Sequence, residues 1–384
     1  MSIDARERTN ADTAAPCREA QRYRLWGLLL MALLASLACI EPADERAELD
    51  RRAGLASADG VSLRVADHLA AVRTMAEGEI ELWAQSPALE LSFEVSETAR
   101  QDWKLTVHNL MPSVIVEQSA GLLSLSEESA DSNTTRVWRL TLTPSSTGSM
   151  RLASPDAFEP GPFRIIYFSD LQEGIETWQV YSEALAAVPE VRFALFGGDL
   201  SNRGGAEEFE RCAAALSELP FPVYQTPGNH DFGSSQALWS RDFGPHSFHF
   251  SYKGVGFSLA DSASATLDAS TYSRLQEWLG FPREAQHLFV THYPLFDPVG
   301  TRNGAFRSRS EAAKLAGRLA AADVDLLLFG HVHSYYAFSV AQIPAFIAGG
   351  ATPKLERMTG IGRHFLRLDI AEGGIEVSLM RIQE

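Results

Sequence analysis

The chain has 384 residues, 45% hydrophobic and 21% charged, which excludes a disordered or collagen-like polypeptide and leaves room for two domains. Acidic side chains outnumber basic ones 49 to 33, a net charge of -16, so the surface would repel a nucleic-acid backbone and no nucleic-acid partner is expected. A small phosphorylated substrate stays compatible, because bound metal ions supply positive charge locally.

At the N-terminus, residues 25–38 form an apolar run too short for a comfortable membrane span. Arg18, Arg22 and Arg24 precede it, and small residues and then Cys39 follow. A basic stretch, a short apolar stretch and a small-residue site describe a secretory signal. Cys39 directly after Ala38 points to a bacterial lipoprotein, cleaved before Cys39 and lipidated on it. Ser36 and Ala38 equally suit ordinary signal peptidase, so plain secretion is the alternative. The expectation is a signal peptide over 1–38 and a tether over 39–59, rich in Ala, Glu, Asp and Arg. The protein is then expected at the cell envelope, meeting the membrane only through a lipid. Cys17, Cys39 and Cys212 imply neither a disulfide framework nor a zinc finger.

Residues 60–158 carry short runs of strict apolar/polar alternation, such as Leu89–Val95, Trp103–Val107 and Val137–Leu142. Alternation means strands with one buried face. Several such strands separated by turn-rich stretches predict a small all-β sandwich, immunoglobulin- or fibronectin-like. Trp83, Trp103 and Trp138 sit within these strands and are read as core.

After a Pro- and Gly-rich linker, residues 162–384 change character. Continuous β-prone runs at 164–168, 193–196, 222–225, 287–291 and 325–329 alternate with helical stretches near 175–188, 206–218 and 271–280. That is an α/β layered domain. The end of the chain, from Ala345, returns to strands.

Each chemically suggestive group of this second body follows a strand. In chain order these are Asp170, Asp199 in Gly198-Asp199, Asn229 and His230 in Gly228-Asn229-His230-Asp231, His292, and the pair in Gly330-His331-Val332-His333. In α/β sheets ligands gather outside the carboxyl ends of strands. A converging set of carboxylate, amide and imidazole groups suits divalent Mn, Fe, Zn or Mg.

This ordered set resembles the calcineurin-like metallophosphoesterase superfamily, which includes purple acid phosphatases, double-strand-break repair nucleases and class III cyclic nucleotide phosphodiesterases. The likeness covers about residues 162–350. In layout it is closest to the purple acid phosphatase-like branch, where a β-sandwich also precedes the catalytic domain. The resemblance implies a four-layered α-β-β-α sandwich and a binuclear centre of two divalent metal ions. It implies that Asp199 bridges both ions, that Asp170 and His333 hold the first, and that Asn229, His292 and His331 hold the second. A hydroxide activated by the two ions would attack phosphorus. His230 would assist the leaving oxygen, Asp231 would orient His230, and Arg203 of Gly198-Asp199-Leu200-Ser201-Asn202-Arg203-Gly204 would contact phosphate.

Two departures stand out. Most relatives carry His two residues after the first Asp, and here Gln172 stands there, a weaker ligand through its amide oxygen. Purple acid phosphatases carry Tyr three residues after the bridging Asp, and here it is Asn202, a candidate extra oxygen ligand. Tyr293, Tyr335, Tyr336, Arg302, Arg307 and Arg309 are candidate pocket residues, Tyr293 foremost because it adjoins His292. The leading expectation is hydrolysis of a phosphomonoester or phosphodiester at the cell envelope. The alternative is a non-catalytic metal- or phosphoester-binding envelope protein with a degenerate first metal site. A third reading makes the β-region the functional part, binding glycan or cell wall.

Overall fold

The structure is a computed structural model. It describes residues 42–118, 121–128, 132–233, 235–280, 286–300, 304–356 and 359–382. The expected signal segment, Cys39 and Arg302 lie outside the described residues.

The tether expectation fails over 42–59. Pro42–Asp50 is a helix and Leu55–Ala58 a strand. Nine residues make a marginal helix in isolation, and charge rather than an apolar stripe docks this one. Arg46 and Asp50 are both buried, and each finds partners about two hundred residues downstream.

The next hundred residues are all-β, as the alternation predicts. One five-stranded sheet runs in the order Leu55–Ala58, Val61–Val65, Ala88–Val95, Ser146–Ala153, Ile115–Gln118. The other runs Ala70–Ala76, Glu79–Ala84, Asp102–His108, Arg136–Leu142, Leu122–Glu128. Leu89, Leu91, Phe93 and Val95 alternate into one core with Trp103 and Trp138. Trp83 is buried too, but it packs edge-on against Phe243 of the second body, ring centres 5.6 Å apart.

Two buried amides join the bodies. Asn109 donates from Nδ2 to the carbonyl of Val223 (2.8 Å) and accepts the Val223 N–H on Oδ1 (2.8 Å). Gln85 Oε1 accepts the Gln225 N–H (2.9 Å). Val223–Gln225 is the edge strand of its sheet, and an uncovered edge is a row of unpaired donors and acceptors. The β-region therefore covers the edge of the strand that feeds Asn229 and His230.

The second body holds two sheets. The first is ordered Val223–Gln225, Val191–Phe196, Phe163–Phe168, His364–Ala371, Gly374–Arg381. The second is ordered Phe248–Tyr252, Val255–Ala260, Gln286–Thr291, Leu326–Phe329, Ile343–Ala348, Tyr335–Val340. Strand Phe163–Phe168 is buried on both faces. Ile165 and Tyr167 join a core with Phe257, Leu288 and Val290 of the opposite sheet, while Ile166 and Phe168 pack with Trp178, Leu185 and Phe209 of the helices. Phe289, Leu327 and Phe329 face helix residues Leu275, Leu315 and Leu319. Helix, sheet, sheet, helix is the expected four-layer order. Helix Arg309–Ala321, capped by Ser308, was not anticipated. Its alanine-rich face has too little contrast to read as an amphipathic stripe.

Candidate metal centre

The strand ends deliver the anticipated side chains to one place. Asp170 follows Phe163–Phe168, Asp199 follows Val191–Phe196, Asn229 follows Val223–Gln225, His292 follows Gln286–Thr291, and His331 and His333 follow Leu326–Phe329. Two sets each place their ligand atoms within 4.8 Å of one another: Asp170, Asp199 and His333, and Asp199, His292 and His331. Asp199 is common to both. The backbone is strained to achieve this. Asp170, Gln172, Asp199 and His331 all take positive φ, between 42° and 66°, a conformation that costs a non-glycine residue on the order of 1 kcal/mol.

Backbone carbonyls orient the imidazoles. His292 donates from Nδ1 to Gly197 O (2.9 Å) and His333 from Nδ1 to Lys354 O (3.0 Å). This settles the tautomer and leaves each Nε2 lone pair for a metal, the usual outer support of a metal-binding histidine. His292 Nε2 lies 3.3 Å from Asp199 Oδ2 and 3.2 Å from Asn229 Oδ1, and His333 Nε2 lies 3.4 Å from Asp170 Oδ1. The carboxylates are braced as well. Asp170 accepts from Ser169 Oγ (2.6 Å) and from His331 N (3.0 Å), and Asp199 Oδ1 accepts from His230 N (2.8 Å). Gln172 donates from Nε2 to Asp199 Oδ2 (2.9 Å).

Electrostatics point the same way. Burial pulls the His292 imidazolium down, but the charge and hydrogen bond of Asp199 and the charge of Asp170 outweigh it and raise it to about 9. Burial disfavours the Asp199 carboxylate, yet His292 holds it below the ordinary range. His331 is pushed down to about 4 by burial and by His292, so it stands neutral, ready to ligate. Proton and metal compete for one electron-rich pocket. Two buried carboxylates, three imidazoles, two of them with directed Nε2 atoms, and a nearby amide oxygen fit a pair of borderline-hard divalent ions.

Other expected residues are placed differently. Asp231 was expected to orient His230, but its carboxylate accepts from Gly228 N (2.9 Å), Leu200 N (3.2 Å), Ser201 N (2.8 Å) and Ser201 Oγ (3.0 Å). It ties the loop after Asp199 to the loop before Asn229, and among the described residues no hydrogen bond joins it to the His230 ring. Burial and the Asp199 charge push it up to about 6, against the pull of the backbone donors. The His230 ring is instead held by Asn202, whose carbonyl oxygen accepts from Nδ1 (2.9 Å). Asn202 thus serves through its backbone. Arg203 is exposed and its guanidinium has no ion pair among the described residues. Tyr293 stacks on His331 at 3.8 Å. Tyr335 packs against Phe346 and His364, Tyr336 lies against the helix-side core, and Arg307 and Arg309 are exposed.

The carbonyls of Gly197, Asn202 and Lys354 have no sequence signal, because a backbone oxygen is the same in every residue. Gly228 has a steric reason. A Cβ there would lie 2.2 Å from Asp199 Oδ1 and 2.4 Å from its backbone nitrogen. Gly228→Ala should therefore lower stability by about 1–3 kcal/mol, read as a drop in Tm, together with weaker metal binding.

A cleft of about 880 Å³ lined by Arg164, Arg192, Lys253 and Asp369 opens at the other ends of the strands. Its basic side chains are paired, Arg164 with Asp369 and both Arg192 and Lys253 with Asp156. The candidate metal-ligand groups lie in the cluster and not in this cleft.

Residues 163–335 match the family model of the calcineurin-like phosphoesterases. That matched segment holds both candidate ligand sets. A search of the curated proteins finds no match to the chain. Among solved structures, the chain is similar to a purple acid phosphatase, PPD1, from yellow lupin (Lupinus luteus) seeds. That likeness has 13% identity and a TM-score of 0.50, and covers 77% of this chain and 70% of that one. It shows a shared fold. Other similar structures are PhoD (11% identity, TM-score 0.47, 78% and 88% covered) and a dimetal phosphatase from Danio rerio (13%, 0.42, 58% and 99%).

Proposed function

We propose that the chain hydrolyses phosphoester bonds, of a phosphomonoester or a phosphodiester, with two divalent metal ions at the cell envelope. The observation that carries this is Asp199, shared by two three-residue ligand sets within a calcineurin-like phosphoesterase domain. Asp170 and His333 would hold the first ion, with Gln172 offering Oε1 as a neutral oxygen. Asn229, His292 and His331 would hold the second. When bound, the ions supply an acidified water and positive charge against the phosphoryl oxygens. The protein's own groups do the rest. His230, its Nδ1 hydrogen on Asn202 O, is left with Nε2 to serve the leaving oxygen. Arg203 offers an exposed guanidinium suited to a phosphate. Asp231 braces the loops that present Asp199 and Asn229.

The N-terminal apolar run and Cys39 support export, with a lipid on Cys39 as the membrane contact and plain secretion as the alternative. The acidic balance supports small phosphorylated substrates over nucleic acid.

The test is turnover of p-nitrophenyl phosphate and of its bis-ester during titration with Mn, Fe, Zn and Mg ions. Metal-dependent release of p-nitrophenol is expected. Metal-loaded protein that is inert toward a broad phosphoester panel would sink the catalytic reading and leave the non-catalytic metal-binding alternative.

A further inference from the structure

The helix Pro42–Asp50 is more than a connector. The Arg46 side chain is 2% exposed. Its Nε and Nη2 form a two-pronged pair with Asp261 (2.5 and 3.3 Å), Nη2 also donates to Ser264 Oγ (3.0 Å), and Nη1 donates to Gln236 Oε1 (2.8 Å). The guanidinium lies over the Phe232 ring, 4.3 Å from its centre. These partners belong to two loops. Phe232 and Gln236 continue the loop that carries Asn229 and His230. Asp261 and Ser264 flank Ser262, whose Oγ accepts the Tyr293 N–H (2.8 Å), and Tyr293 follows His292 and stacks on His331. The first loop thus carries Asn229 and the second touches the segment after His292, and Asn229 Oδ1 and His292 Nε2 stand 3.2 Å apart. Asp170 and His333 of the other position have braces that do not pass through Arg46, from Ser169 and from the carbonyl of Lys354.

The helix is itself anchored. Asp50 accepts from His246 N (2.7 Å), His246 Nδ1 (2.6 Å), Ser247 N (3.0 Å) and Arg274 Nη2 (3.3 Å). Arg46 is therefore held at a set depth between the loops.

We propose that Arg46 is a positioning residue for the second metal position: through Phe232, Gln236 and Asp261 it sets the spacing between Asn229 and the His292–Tyr293 segment. A planar guanidinium fork can span these partners at once, and an ammonium cannot. The proposal rests on the two-ion reading above.

The experiment measures Mn binding by calorimetry and metal content by elemental analysis on the full chain. Wild type, R46M, R46K and S264A are compared, with R164M as a control that breaks the distant Asp369 pair. Expected are two equivalents in wild type and in R164M. In R46M one equivalent should bind as in wild type and the other about ten-fold more weakly, the scale seen when outer supports of metal ligands are removed. R46K and S264A should show the same selective weakening to a smaller degree, and they carry the comparison if R46M does not fold. Failure of wild type to bind any metal would overturn the two-ion reading. Two wild-type equivalents with unchanged affinities in the Arg46 and Ser264 variants would overturn this proposal. So would equal weakening of both equivalents, the mark of a merely structural role.

Discussion

An Asp199→Asn variant should lose turnover of p-nitrophenyl phosphate by a factor of about 1,000 or more and should bind at most one metal equivalent. Asn is nearly isosteric and can still accept the His230 N–H, now at 2.8 Å from Oδ1, so the fold should survive and circular dichroism should be unchanged. What disappears is the negative charge common to both ligand sets. A carboxylate can give one oxygen to each of two ions, whereas a carboxamide has one good acceptor. The His292 imidazolium would also lose its principal partner. Wild-type stoichiometry together with wild-type turnover in this variant would remove Asp199 from the centre of the scheme.

The second large effect is on the metal-free protein. A histidine in the unfolded chain titrates near 6.5, while folded His292 is raised to about 9. Between these values the folded protein keeps a proton that the unfolded chain has released. The ion pair with Asp199 therefore stabilises fully below about pH 6.5, and its contribution is lost as pH rises through about 9. The size is roughly 3 kcal/mol for a fully buried group. His331 acts with the opposite sign. Folded, it stays neutral down to about pH 4, so stability falls as pH drops from 6.5 toward 4 and the unfolded chain gains a proton that the folded one refuses. Asp231, raised to about 6, acts against that fall over nearly the same window, so in chelated protein the alkaline loss is the expected limb. Saturating Mn should reverse the alkaline limb, because metal displaces the His292 proton and binds more tightly as protons become scarce. Urea midpoints at pH 6, 7, 8 and 9, with chelator and with Mn, check the alkaline limb. A flat chelated profile together with a flat Mn profile would show that His292 is not protonated in the folded protein.

Much of the site was legible in the order of residues along the chain. Asp170, Gly198-Asp199, Gly228-Asn229-His230, His292 and Gly330-His331-Val332-His333 each sit after an apolar run, and the parallel strands carry their ends to one edge. The alternation in Ala88–Val95 and the Trp103 and Trp138 positions likewise predicted their own burial. These features are local, because side-chain direction along a strand repeats every two residues.

Roles assigned to single polar residues were less secure. Asp231 adjoins His230 in sequence, yet its carboxylate turns to the amides of Leu200 and Ser201 thirty residues upstream. Arg46 falls in the stretch expected to be a tether, and it is among the largest fully buried side chains of the described residues. Asn109 and Gln85, which carry no sequence signal, cover a sheet edge.

By itself, then, the sequence determined which polar side chains stand at the strand ends, the alternating cores and the α/β layering, all set by short-range periodicity. Only the tertiary structure decided whether Asp199 serves both ligand sets, that Asn202 rather than Asp231 holds His230, and that residues 42–50 are docked rather than loose. The physical reason is common to all three. A buried charge or amide is stable only where distant chain supplies its partners, and no local pattern records partners lying far away in the chain.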